Sequence, residues 1–432
     1  MGGAELAADR TRRRDLGGTA LHSRVPLPGP SLPILGEPES TPKIRASAAW
    51  LAMGFRPFFL AAALHAIVFV PWWLTLLATG SSVAGGYMLP MWWHAHEMLF
   101  GFTLAVVAGF LLTAVRNWTG RDTAHGPALG ALLALWLAGR VVMVAGNGLP
   151  AWLVAGTVLA FPVALTAVLG RALIAARSRR NYGVLALLTA LATACALAHY
   201  GAAAGKPAIT QRALLTTVHL IVFLNAFIGG RVIPLFTRTA TRRSKVRNIA
   251  WLDHLALTAT GALVVAVAAG ATGFVTAAAA TFAGVTNLAR MTTWGTRAAL
   301  RLPMVFILHV GYAWIGAGQL LVAGAAAGLP IPAPTALHAL TIGVIGTMTL
   351  GMMARVTLGH SGLPVVASRT TVLAFSLMVL ATLARLATLV LPAEFRLTSL
   401  MSSGTAFALA FTLYALVFAR ILVRPRADGE PG

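Results

Sequence analysis

The stretch WWHAHEMLFGFTLAVVAGFLLTAV, residues 92–115, decides the class of protein, with Glu97 as its single charged side chain. A helix needs about 20 apolar residues to cross the ~30 Å of bilayer hydrocarbon, and this stretch meets that length. Working outward, comparable runs begin near Phe55, Gly126, Ala151, Tyr182 and Ala213. Others begin near Ala250, Phe274, Leu302, Thr335, Thr371 and Leu400. The pattern predicts an all-α polytopic membrane protein of about twelve transmembrane helices. Composition agrees: of 432 residues 58% are hydrophobic and 10% charged, and mean hydropathy is +0.80. Soluble chains carry about 25% charged residues, so a string of soluble domains is excluded.

The formal charge of +22 belongs to topology rather than to nucleic acid. Basic residues fill alternate loops: Arg116/Arg121, Arg171/Arg177/Arg179/Arg180, Arg238/Arg242/Arg243/Lys245/Arg247, Arg290/Arg297/Arg301, Arg355/Arg369 and Arg420/Arg424/Arg426. The intervening loops hold little charge. Basic loops stay in the cytosol, so both termini are expected there. Residues 1–45, basic and Pro-rich, read as a disordered cytosolic tail without the apolar core or cleavage site of a signal peptide. Residues 46–424 form the expected transmembrane domain and 425–432 a cytosolic C-terminal tail. The single cysteine, Cys195, excludes an intramolecular disulfide and a Cys-ligated iron–sulfur cluster, and lies in an apolar run where packing is its simplest role. No Walker A, GxGxxG, HExxH or GxSxG motif is present.

Ionisable groups inside a membrane are costly and mark function. Glu97 falls inside the second span near its outer end, with His94 and His96. Also toward the outer side are His199, His219 and His338; toward the inner side are His254, His309 and His360, and His65 is near the middle of span one. Successive helical residues turn by about 100°, so His94 and His96 face nearly opposite ways and can serve two sites. Glu97, three residues from His94, shares its face and is expected to fix that ring's tautomer. His94/His96, His219 and His338 occupy spans two, six and ten, all running outside to inside. This four-span period suggests a pseudo-three-fold arrangement of four-helix units, with these histidines as metal ligands. Arg140 and Arg385, set a little below the outer surface, either snorkel or pair with a buried anion such as Glu97 or a haem propionate.

The segments WHAHEMLFGF and AGFLLTAVRNWTG resemble the NnrS family. So do GFRPFF (54–59), GGRVIPLFTR (229–238), ILHVGYAWI (307–315) and LHALTIGVIGTMTLGMMARVTLGHSG (337–362). The resemblance implies a twelve-span protein of the bacterial inner membrane that contains haem and copper. It further implies a role in nitric oxide metabolism, denitrification or resistance to nitrosative stress. Its motif histidines fall on His94, His96, His309, His338 and His360, with Glu97 beside the first pair and His219 just before GGRVIP. His309 and His360 thus join the candidate haem or metal ligands; which histidines take which cofactor stays open. The layout is also similar to the catalytic subunit of haem-copper oxidases and nitric oxide reductases, but span seven here has no paired histidine in its outer half.

Three functions follow in order. The first is a haem- and copper-binding protein embedded in the lipid bilayer, with nitric oxide as its small-molecule ligand. The second is a proton-coupled secondary transporter working through Glu97. The third is a structural assembly factor for denitrification enzymes. Whether the first turns over a substrate, and the oligomeric state, are left open by the sequence.

Overall fold

The computed structural model describes residues 46–81, 88–146, 148–242 and 246–430. The expected tail, residues 1–45, lies outside the described residues, as do Arg243 and Lys245. Twelve long helices follow in order: α1 (Phe55–Thr79), α2 (Pro90–Thr119), α3 (Gly126–Ala145), α4 (Ala151–Ala175), α5 (Tyr182–Ala203), α6 (Pro207–Thr241), α7 (Ala250–Ala269), α8 (Gly273–Met291), α9 (Pro303–Ala326), α10 (Ala333–His360), α11 (Arg369–Ala387) and α12 (Ala393–Val423). Among the described residues no strand occurs. The chain is an all-α, multi-pass membrane protein.

Eleven of the twelve are long and apolar enough to cross a membrane. The exception is α8, whose 19 residues include Thr276, Thr281, Thr286, Asn287 and Arg290. Its polar groups are spent within the protein, except that Thr281 is exposed and bonds the carbonyl of its own helix at Ala277. Asn287 donates to Thr260 Oγ1 of α7 at 2.8 Å and to Gln319 Oε1 of α9 at 3.3 Å. Arg290 pairs with Asp253 of α7 at 2.5 Å and donates to the Tyr312 hydroxyl of α9 at 3.0 Å. Satisfied in this way, polar side chains are tolerated within a bundle, and they lower the apolarity of α8 without giving lipid a polar face.

Each helix packs against the next in chain order, and α12 closes the ring on α1. Within that ring α2, α6 and α10 touch one another. Burial separates them from the rest: 89%, 72% and 78% of their most apolar stretches are buried, against 28–56% for the other candidate spans. Three four-helix units, each contributing its second helix to the centre, account for this pattern. The same three helices share other features. Each has a proline in its first turn, Pro90, Pro207 or Pro334, where the missing N–H costs nothing and φ is already helical.

Two of the central helices also depart from α-geometry at one place. The π-helical turns Glu97–Thr103 of α2 and Ala339–Gly346 of α10 begin directly after His96 and His338. Such turns are rare and occur often at functional sites. At the opposite, basic end, Arg56 is buried and donates to the carbonyls of Ile421, Leu422 and Arg424. It thereby satisfies the free carbonyls at the C-terminus of α12 and ties the first helix to the last.

Candidate metal centre

The π-turn of α2 aims its carboxylate at two neighbouring helices and at the preceding residue of its own. Glu97 is 1% exposed. Its Oε1 accepts from Arg140 Nη1 of α3 at 2.5 Å and from Nδ1 of His96 at 3.0 Å. His65 of α1 brings Nε2 to 3.8 Å from Oε2, beyond hydrogen-bond distance. The backbone makes room for this convergence at Gly101. A Cβ there would lie 2.8 Å from His65 Nε2 and 3.0 Å from Arg140 Nη1. Trp136 of α3 closes over the same turn, its indole N–H donating to the Gly101 carbonyl at 2.9 Å.

The charge arithmetic is simple. An isolated carboxylate in a low-dielectric interior costs several kcal/mol, and the guanidinium of Arg140 cancels it. With Glu97 accepting, His96 carries its proton on Nδ1 and leaves the Nε2 lone pair free, as a carboxylate behind a metal-bound imidazole does. That Nε2 points at Nε2 of His199, 3.1 Å away on α5. Cys195, one helical turn before His199, completes the group. The ligand atoms of His96, Cys195 and His199 lie within 4.8 Å of one another, and all three residues are buried.

The remaining candidates are placed as follows. His94 faces away from His96, its ring stacked on Trp73 at 4.5 Å and 16°. Glu97 does not bind it, contrary to the expected i, i+3 pairing, because Arg140, His65 and His96 draw the carboxylate to the other side of the helix. His338 stands at the start of the π-turn of α10, its Nδ1 2.6 Å from the carbonyl oxygen of Pro334. Arg385 donates to the hydroxyls of Thr335 and Thr388 at 3.2 and 3.0 Å rather than to Glu97. His219 is buried in α6 and is not part of the His96 group. His309 lies toward the basic end, its Nε2 and Nδ1 within 2.9 and 3.0 Å of the hydroxyls of Thr237 and Thr296. His360 ends α10, its ring 5.8 Å from that of Phe55. The structure thus brings together His96, Glu97 and Arg140, while His94 packs on aromatic side chains instead.

Cys195 and His199 were not in the expected ligand set. Their sequence signal is the i, i+4 spacing that puts a thiol and an imidazole on one helical face. His65 has no comparable signal, since nothing near it in the sequence is polar.

The sequence model described as NnrS protein matches residues 49–426. The chain belongs to the NnrS family. A search of curated proteins found no match. The match covers all twelve helices, so the Glu97 cluster and the His96–Cys195–His199 group lie within the NnrS region.

Proposed function

We propose that this NnrS protein binds copper at His96, Cys195 and His199 and handles nitric oxide there. In this reading the centre lies near the outer face of the bacterial inner membrane, with both termini cytosolic. The observation that carries it is the donor set itself, two imidazole nitrogens and one sulfur enclosed in a membrane interior. Soft thiolate and imidazole donors suit copper, whereas magnesium and calcium call for oxygen. Charge favours the monovalent ion. Glu97 and Arg140 already cancel, and Cu(I) with one thiolate adds no net charge to a site where net charge is expensive.

Copper, when bound, supplies an electron-rich centre able to take a diatomic ligand and to change charge by one. The protein supplies the rest. Glu97 holds the His96 tautomer, Arg140 neutralises Glu97, and Trp136 with Gly101 fixes the turn that carries them. On copper binding the Nε2 proton of His199 would shift to its Nδ1, and the Cys195 thiol would release its proton to become the thiolate. Haem does not fit at this pair: nitrogens 3.1 Å apart leave no space for a macrocycle between them, and no step is assigned to it. The transport reading has less support. A coupling carboxylate must exchange its cargo with both sides, whereas Glu97 is enclosed and held by Arg140 and His96.

The test is copper content per chain in detergent-purified protein, with spectra recorded before and after nitric oxide. Wild type is expected to hold copper and respond to the gas; Cys195→Ser and His199→Ala are expected to lose both properties while eluting as folded protein. Copper retained undiminished in both variants sinks the assignment.

A further inference from the structure

The uncharged run of α6 ends at a cation that no described carboxylate neutralises. Between Arg212 and Arg231 lie 18 residues without charge, about 27 Å of helix, which matches the ~30 Å of bilayer hydrocarbon. With Arg212 at one boundary, Arg231 comes at the other, at headgroup level on the basic side of the bundle. Ion pairs account for other arginines: Arg116 with Asp122, Arg140 with Glu97, Arg290 with Asp253 and Arg426 with Asp428. Arg56 is spent on backbone carbonyls. Arg231 has no such partner among the described residues. Its guanidinium lies over the ring of Phe227, one turn earlier, at 3.9 Å. Its one hydrogen bond among the described residues, 3.4 Å from Nη1 to Asn181 Oδ1, reaches the turn before α5. A guanidinium carries five N–H donors, so the half-buried Arg231 keeps most of them for an outside acceptor.

The guanidinium is held in place, as a snorkelling side chain is not. Asn181 is buried, and its amide donates to Ser178 Oγ at 3.0 Å. That bond turns the Asn181 oxygen toward Arg231, while the Phe227 ring supports the guanidinium from below. The turn Arg179–Asn181 adds two exposed guanidiniums, Arg179 and Arg180, next to Asn181 in the chain. Tyr182, the first residue of α5, is exposed, as aromatic residues at a membrane interface commonly are.

We propose that Arg231, with Arg179 and Arg180, binds the phosphate of an anionic phospholipid in the leaflet at the basic end of the bundle. Guanidinium suits phosphate because two N–H groups meet two oxygens in parallel. Basic pockets between helices on the cytoplasmic side bind anionic headgroups. Net charge sets the preference, since a zwitterionic lipid brings a cation of its own into a cluster that already has three. A lipid bound there pins the start of α5 to α6, and α5 carries Cys195 and His199. The site itself does not depend on metal at those residues.

The experiment reads stability against lipid. Full-length protein in neutral detergent micelles is unfolded by heat as phosphatidylglycerol, phosphatidylcholine or sodium phosphate is added. Wild type is expected to be stabilised by phosphatidylglycerol and not by the other two. Arg231→Gln is expected to need roughly tenfold more phosphatidylglycerol for the same gain, as the loss of a hydrogen bond to a charged group implies. Arg179→Gln/Arg180→Gln, at exposed positions, is expected to shift the response in the same direction, and it keeps the test decisive if Arg231→Gln does not fold. Arg238→Gln/Arg242→Gln removes two exposed charges farther along the chain and is expected to respond as wild type. Equal weakening in that control shows a diffuse basic surface and overturns the site, as does an undiminished response in the other two variants. Stabilisation by phosphatidylcholine to the same extent shows general solvation by lipid and overturns it too. An equal effect of sodium phosphate assigns the cluster to a free anion and overturns the lipid.

Discussion

The side chain with most at stake is Glu97, because its charge is enclosed and one cation offsets it. Removing one member of a buried pair leaves the other uncompensated and typically costs about 3–5 kcal/mol. Arg140→Met is therefore expected to lower thermal stability in detergent sharply. Arg140→Met/Glu97→Gln should recover much of the loss, since no charge is then stranded. If the double variant unfolds as early as the single one, the pair does not act as a charge-compensated unit. At this scale the sequence was partly informative. An acidic residue in an apolar run and an arginine below the opposite helix end were both visible, and Arg140–Glu97 was one of two pairings open. The partner of the imidazole was not visible. Ideal helical spacing pointed from Glu97 to His94, while the observed partner is the adjacent His96, because contacts from α1 and α3 direct the carboxylate. Cys195 and His199 were hidden for another reason. One helical turn apart in an apolar helix, each has an ordinary packing role until α2 brings His96 against them.

Helices were the most legible elements, since each apolar run became one and the prolines at Pro90, Pro207 and Pro303 mark where helices begin. Their interiors were less legible. Nothing in EMLFGFT or ALTIGVIG announces a π-turn, which depends on how neighbouring helices press on the segment rather than on local propensity. Packing dictates the identity of Gly101 in the first turn, because a methyl group there would press on both His65 and Arg140. Gly101→Ala is expected to cost about 1–3 kcal/mol, the usual range for overpacking, and to reduce copper occupancy by displacing Arg140 from Glu97. Gly80→Ala serves as the control, since its surroundings are open and only its positive φ of 65° is strained. It should lose stability without losing copper. Equal copper loss in both variants would show that the occupancy follows stability alone. A second close approach lies at Gly230, where a Cβ would run into the Arg290 guanidinium. Gly230→Ala should therefore separate Arg290 from Asp253 and destabilise the α7–α8–α9 contact without changing copper content.

For the whole molecule, the question is whether the chain crosses the membrane twelve times or eleven. The histidine period anticipated three four-helix units, and the central placement of α2, α6 and α10 agrees with that layout. Yet α8 falls short of the apolarity of a membrane span. Asn287 and Arg290 point into a network with Thr260, Asp253, Tyr312 and Gln319 rather than outward. Its exposed large side chains, Phe274, Val275, Phe282 and Val285, are apolar, and the one exposed hydroxyl, Thr281, is bonded to the carbonyl of Ala277 within the helix, as a lipid-facing surface requires. A helix whose polar groups are paired within the bundle and whose outer face is greasy has no reason to leave the bilayer. The loop basicity gives a second argument, for Arg297 and Arg301 follow α8 while the turn before it, residues 270–272, carries no charge. Accessibility labelling decides the matter, and the chain suits it because its one native cysteine is buried. A cysteine at Thr272 should react with an impermeant maleimide added outside intact cells. One at Thr296 should react only after the cells are opened, and a C-terminal reporter should remain cytosolic. If positions 272 and 296 label from the same side, α8 does not cross, and α9 to α12 must be inverted. That inversion would set the His338 end of α10 on the opposite side from His94 on α2. Since Leu104–Thr119 of α2 packs against Thr347–His360 of α10, the fold described above would fail with it.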